Sequence, residues 1–157
     1  MITLNLNIEG VKHEDYNLYF KFCYSKLNDF KKELRNNLNI VKFSLRYDYL
    51  VDNNLIKFND EENTPTSLFI ANFIINSFVL TKRANILGGL DTAFVIPDYL
   101  LIPFSTMSVT HFIRYVEYGT LDMPPYKWIS HTWRLFSENI QDEWIKYSKI
   151  FKKLEDN

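Results

Sequence analysis

Arg114-Tyr-Val-Glu-Tyr-Gly-Thr-Leu-Asp-Met-Pro-Pro-Tyr-Lys-Trp-Ile-Ser-His-Thr-Trp133 is the stretch on which the reading of the chain turns. Its first part is rich in aromatic and β-branched side chains and reads as the end of a strand over 109–118. Gly119 follows, one of only four glycines in 157 residues. A glycine placed there supplies a backbone angle closed to residues with a Cβ, as at a bulge or tight turn. Thr120 and Asp122 offer side-chain oxygens to backbone groups that have left a ladder. Pro124 and Pro125 lack a backbone donor and hold the loop extended. A helical pattern then opens at Trp128. Glu117 stands among large apolar residues, where an unpaired carboxylate is costly. It is therefore expected to accept hydrogen bonds from loop amides or to pair with Lys127 or Arg134, either stapling the turn or bridging to a neighbouring subunit.

Outward from this stretch, the N-terminal residues Ile2, Leu4, Leu6 and Ile8 alternate with polar ones, which predicts a strand ended by Gly10. Tyr16, Phe20, Cys23, Leu27, Phe30, Leu34 and Leu38 step by three or four, which predicts a long amphipathic helix over 14–37. Val41, Phe43, Leu45, Tyr47, Tyr49 and Val51 alternate with polar side chains, so a second long strand is expected, turning at 52–54 and returning over 55–58 as a hairpin. The acidic run Asp60-Glu61-Glu62 lacks the alternating ligands of a calcium loop and reads as solvated. Thr64 and Pro65 suit a helix start, giving an apolar helix to about Arg83, with two short strands as the alternative because so many of its residues are β-branched. Gly88-Gly89 breaks the chain before an extended segment over 92–96. Pro97 and Pro103 then bracket an arm containing Tyr99, Leu101 and Phe104, too apolar for a free loop, which either returns to the core or packs on another molecule. Ile129, Trp133, Phe136, Ile140, Trp144, Tyr147, Phe151 and Leu154 form one stripe, predicting a continuous helix to the C-terminus. The expected fold is α+β, one domain over 1–157, with about three helices packed on an antiparallel sheet that includes a long hairpin.

Composition narrows the function classes. A net charge of −1 gives no global electrostatic case for nucleic-acid binding. The single Cys23 precludes an internal disulfide and a cysteine zinc cluster, and its apolar surroundings suggest a buried thiol in a reducing compartment. The alternating start carries no basic signal-peptide region. The uncharged run 63–81 has an apolar centre of 13 residues, 68–80, interrupted by Asn72, Asn76 and Ser77. That is shorter than the roughly 20 residues of a membrane span, so no membrane role is expected. His13, His111 and His131 have no metal-ligand spacing, so only folding could bring His111 and His131 together. Leu87-Gly-Gly-Leu lacks the lysine of a phosphate loop. No enzyme and no cofactor are expected.

Phe112-Ile-Arg-Tyr-Val-Glu-Tyr-Gly-Thr120, followed by Met123-Pro-Pro-Tyr-Lys-Trp-Ile129, resembles the signature of the tail-completion, or neck, proteins of tailed bacteriophages. The match lies at Tyr115, Val116, Glu117, Tyr118, Gly119, Thr120, Met123, Pro124 and Trp128. The family's upstream Thr-Gly-x-Leu-Arg-x-Ser stretch is replaced here by Leu87-Gly-Gly-Leu-Asp-Thr92, and the N-terminal half has no counterpart. The resemblance implies a structural virion protein, made in the host cytoplasm. It would form a ring with copies of itself between portal, adaptor or other neck proteins and the tail. DNA would pass through its lumen without sequence-specific binding. A ring requires two different complementary patches on each subunit. They are expected on the loop that holds Gly119, Thr120, Met123, Pro124, Pro125 and Trp128, and on the arm from Pro97 to Phe104. The alternative is a soluble nucleic-acid-binding or regulatory phage protein that sets Lys21, Lys31, Lys32 and Arg35 against phosphates, with nearby tyrosines stacking on bases.

Overall fold

A computed structural model describes residues 1–155; the last two positions of the expected domain and C-terminal helix lie outside the described residues. Three strands, β1 (Ile2–Asn5), β2 (Val79–Ala84) and β3 (Leu90–Ile96), form an antiparallel sheet in the order β1-β3-β2. Six helices accompany it among the described residues: α1 (Tyr16–Asn36), α2 (Ile40–Asp52), α3 (Ser67–Asn76), α4 (Val109–Tyr118), α5 (Trp128–Ser137) and α6 (Ile140–Glu155). The fold is α+β, with more helices and less sheet than the sequence suggests.

Helix α1 is the spine. Its buried stripe of Tyr19, Phe22, Cys23, Leu27, Phe30 and Leu34 faces the sheet and the other helices. Phe30 is the centre of an aromatic cluster, with ring centroids 5.4 Å from Phe78, 5.8 Å from Phe94 of β3, 5.3 Å from Trp133 and 5.4 Å from Phe136 of α5. Rings at such spacings contribute beyond their buried area. On the same sheet face, Leu4 of β1 and Leu80 of β2 pair with Phe94. One polar contact pins helix to sheet: the Tyr19 hydroxyl and Thr92 Oγ1 lie 2.6 Å apart in the interior.

Two segments expected as strands are helices. In α2 the period that wins is helical: Phe43, Tyr47 and Leu50 are buried, while Val41 and Leu45 of the alternating set are left exposed. Asn39 caps this helix by accepting from the Lys42 N–H at 3.1 Å. The hairpin expected over 41–58 is therefore absent. In α4, Val109, Phe112, Ile113 and Val116 make one buried stripe, and Ser108 caps it by accepting from the His111 N–H at 3.0 Å. Burial of an amphipathic face overrides the strand propensity of Tyr-Val-Glu-Tyr.

The apolar helix expected to reach Arg83 stops at Asn76, and the chain continues as β2. The real hairpin is β2–β3, closed at 85–89, where Asn85 Oδ1 accepts from the Leu87 and Gly89 N–H groups. Lys82 and Arg83, placed after the apolar run, lie on this edge strand, where charge discourages further pairing. The expected continuous last helix is two, α5 and α6, interrupted at 138–139. The second returns Trp144 onto Tyr19 and Phe22 of α1 at 5.1 and 5.4 Å. No helix among the described residues is long and apolar enough to cross a membrane.

Phe30→Ala removes the ring shared by sheet and helices, and urea denaturation is expected to register a loss of about 3–5 kcal/mol.

Candidate functional site: a four-helix corner and its flanks

The signature segment is a helix, a reversal and a helix. Gly119 ends α4 with φ +73° and ψ −170°, and a Cβ built there would lie 2.3 Å from the Met123 carbonyl oxygen and 2.9 Å from Pro125 N. Both the conformation and the space require glycine. The Gly119 N–H donates to Tyr115 O at 2.8 Å, and the Tyr126 N–H donates to Val116 O at 2.7 Å, so carbonyls at the end of α4 are satisfied by the loop that leaves it. Thr120 and Met123 exchange backbone hydrogen bonds across the turn, and Thr120 Oγ1 accepts from the Asp122 N–H at 3.3 Å.

Helix α5 begins after Lys127, whose side chain makes no cap. Its cap comes from α4. Glu117, only 5% exposed, accepts from the Ile129 N–H at 2.5 Å through Oε1, and from the Ser130 hydroxyl through Oε2. This is the expected staple within the chain. Neither cation proposed from sequence is its direct partner: Lys127 acts on it only electrostatically, and Arg134 turns to His131. Burial raises the Glu117 pKa, against the lowering effects of the bonds from Ser130 and Ile129.

The corner also reaches the other helices. Trp128, buried at the head of α5, donates its indole N–H to Leu34 O near the end of α1 at 2.9 Å. The Tyr126 hydroxyl accepts from the Asn39 N–H at the start of α2 at 2.9 Å, and Asn37 Nδ2 donates to Thr132 Oγ1 at 3.3 Å. Four helices are thus fastened at one place.

Among the residues expected at an interface, the structure separates two kinds. Glu117, Met123 and Trp128 are buried within their own chain, and Tyr115, Gly119 and Thr120 are half-buried. Tyr118, Pro124 and Pro125 are exposed, and beside them Leu121, unremarked in the sequence, is fully so. The arm divides likewise: Ile102 is buried, Pro97 and Pro103 are half-buried, and Tyr99, Leu101 and Phe104 are exposed. Phe104 adopts φ +64°, unusual for an aromatic residue. The arm is tied to the first turn of α4 by the Val109 N–H donating to Leu100 O at 2.8 Å. Loop and arm therefore flank the opposite ends of one helix.

Of the basic residues of α1, Lys21, Lys32 and Arg35 are exposed. Arg35 donates to Asn76 Oδ1, and Lys31 is half-buried, its pKa lowered by burial and by Arg35. A positive group not found from sequence, Lys42, Arg46 and Lys127, lines with His131 a cleft of about 480 Å³ between α2 and the start of α5. Lys42 and Arg46, spaced i, i+4, were hidden by reading 41–51 as a strand. His111 stacks on Tyr115 and lines a different cleft from His131. No group of three or more potential metal ligands is gathered among the described residues. Cys23 is buried, and desolvation pushes its thiol up to about 11. Compared with known protein families, curated proteins and solved structures, the chain matches none.

Gly119→Ala is expected to cost about 1–3 kcal/mol from backbone conformation alone, with the clash on Met123 adding to it; chemical denaturation measures the sum. Glu117→Ala strands the Ile129 and Ser130 donors and is expected to cost about 1–3 kcal/mol, while Glu117→Gln costs less. Because the folded-state pKa of Glu117 is raised, the native state holds its proton more tightly than the unfolded chain. That contribution is fully present below the ordinary glutamate value and is lost as pH rises through the raised one. The stability of wild type relative to Glu117→Gln should therefore fall across that window, as read from urea midpoints at stepped pH.

Proposed function

We propose that the chain is a structural, non-enzymatic virion protein: a ring-forming subunit of the head-to-tail connector of a tailed phage, joining the portal or adaptor side to the tail and bordering the DNA path. The observation that carries this reading is the 112–129 resemblance, together with exposed Tyr118 and Leu121 beside the rigid Gly119 corner. Head-to-tail association needs two unlike surfaces on one subunit. The loop with Tyr118 and Leu121 supplies one, and the arm with Tyr99, Leu101 and Phe104 supplies the other. Large exposed aromatic and aliphatic side chains of this kind suit the cores of protein contacts. A net charge of −1 suits a channel in which DNA slides, since affinity grows with each neutralised phosphate. The competing reading, nucleic-acid binding along α1, has less support because, of its four cations, Arg35 already donates to Asn76 Oδ1 and Lys31 is half-buried.

Tyr118→Ser and Leu121→Ser lie at exposed positions and should change stability by no more than about 0.5 kcal/mol. Both are expected to abolish incorporation into particles, and to reduce the light-scattering mass of any complex formed with neck partners. Fully infectious particles containing both substitutions would remove the reading, as would steep, salt-dependent DNA binding by a purified monomer.

A further inference from the structure

The cleft between α2 and the start of α5 is lined by Lys42, Arg46, Lys127 and His131 and by no carboxylate. Arg46 is held in place rather than neutralised. Its Nη1 donates to Lys42 O at 3.0 Å, its Nη2 reaches Pro125 O at 3.5 Å, and its guanidinium carbon lies 5.5 Å from the Tyr126 ring centroid. Its Nε–H is buried without an acceptor. A guanidinium carries five N–H donors, so most of this capacity is unspent. The ion pairs among the described residues involve none of Lys42, Arg46 or Lys127. Glu117, which feels the charge of Lys127, has its carboxylate committed to Ile129 and Ser130. The cleft therefore presents unneutralised positive charge beside the exposed end of the signature loop.

The complementary surface is on the same chain. Asp60, Glu61 and Glu62 are exposed and take part in none of those ion pairs. Asp60 is occupied within the loop, accepting from the Glu62 N–H at 3.0 Å and from Asn63 Nδ2 at 2.5 Å. Glu61 and Glu62 are left for an outside cation. The acidic loop is continuous with the apolar arm, because the Asn59 N–H donates to Phe104 O at 2.7 Å and Phe58 bridges to Ser105.

The two charged surfaces lie across α2 from each other. Lys42 and Arg46 share one face of that helix. Ser44, two residues from each, projects about 200° around the axis, and its hydroxyl lies 2.6 Å from that of Ser67 at the start of α3. Tyr47 donates to Pro65 O, just beyond the acidic loop. A subunit is therefore not arranged to fill its cleft with its own loop.

We infer that the cleft receives the acidic loop of a second copy, with Lys42, Arg46 and Lys127 meeting Glu61 and Glu62 while Tyr118 and Leu121 approach the arm. The inference rests on the ring reading and gives its head-to-tail contact two faces that match in charge as well as in apolar character.

The test mixes isotopically light and heavy wild-type protein at low salt with a zero-length carbodiimide, which joins only amines and carboxylates already in contact. Mass spectrometry is expected to find Lys42 or Lys127 of one copy joined to Glu61 or Glu62 of another. In sedimentation, Lys42→Glu/Lys127→Glu and Glu61→Lys/Glu62→Lys should each weaken self-association by at least about tenfold. An equimolar mixture of the two should restore it, since each cleft again faces a loop of opposite sign. All four positions are exposed, and an unchanged thermal melt verifies folding. Absence of the intermolecular cross-links at the highest soluble concentration overturns the inference. So does self-association indifferent to both reversals, or duplex DNA binding that the cleft reversal abolishes while association persists. Rings that form despite the reversals sink the pairing and spare the ring reading. Cross-linked pairs that stop at a closed dimer do the opposite.

Discussion

The carboxylate of Glu117 at the head of α5 is the interaction on which the rest of the arrangement depends. A helix start presents N–H groups that need acceptors. Here the preceding residue is a lysine, which has none to give, and the two residues at 124 and 125 are prolines. A local serine or aspartate would have let α5 begin by itself. Taking the acceptor from α4 makes the start of one helix conditional on the docking of the other. The chain can bring Glu117 back onto Ile129 only because Gly119 adopts a conformation that permits an immediate reversal. Trp128 then falls against Leu34 O, and Tyr126 against Asn39 N. Formation of the corner thereby orders the α1–α2 junction as well, and local structure becomes inseparable from tertiary structure at that point.

What was legible in the sequence follows from how many periods each segment satisfies. The stripe of α1 fits a helix and nothing else, whereas β1 was legible as a strand but ends at Asn5, short of the Ile8 its alternation suggests, with Asn7 at φ +50°. Segment 41–51 satisfies two periods at once. Its alternating apolar residues include Phe43 and Tyr47, which also fall one helical turn apart, and only a partner surface decides which set is buried. Segment 109–118 has the same ambiguity, with strand-favouring side chains spaced at helical intervals. The sequence did contain an arbiter in each case, a capping residue immediately before the segment, Asn39 and Ser108, each accepting from an N–H three residues on. Gly119 was legible because its scarcity and position imply a special backbone angle. That Glu117 staples the turn through a backbone amide was legible too, but that its partners are Ile129 and Ser130 at the head of α5 was not, because this depends on how two helices approach, which no local pattern encodes.

Helical structure over 109–118 changes what the signature resemblance means. Val116, Glu117, Met123 and Trp128 are interior residues, so their match speaks about how the corner is built, not about what touches it. The side chains free to meet another molecule are those that the corner leaves outside, chiefly Tyr118 and Leu121, and those the arm leaves outside. Both carboxylate oxygens of Glu117 are turned to the head of α5 and the side chain is 5% exposed, so it faces the interior of its own chain. In the proposed ring its contribution would be indirect, through the position in which it holds the loop.

Near-zero net charge conceals a polar molecule. The positive group sits beside the reversal loop and the negative group beside the arm, on opposite sides of α2. Helix α4 spans between the same two regions, with the arm at its first turn and the loop at its last. One rigid helix of ten residues, about 15 Å long, therefore fixes the separation of two surfaces that are unlike in both shape and charge. Self-complementary two-fold pairing brings together the same patch on both partners, whereas unlike patches held apart propagate from copy to copy. Whether propagation closes depends on the angle between them, and that angle is set by the corner at Gly119. The same reversal that starts α5 is thus the element through which the geometry of an assembly would be determined.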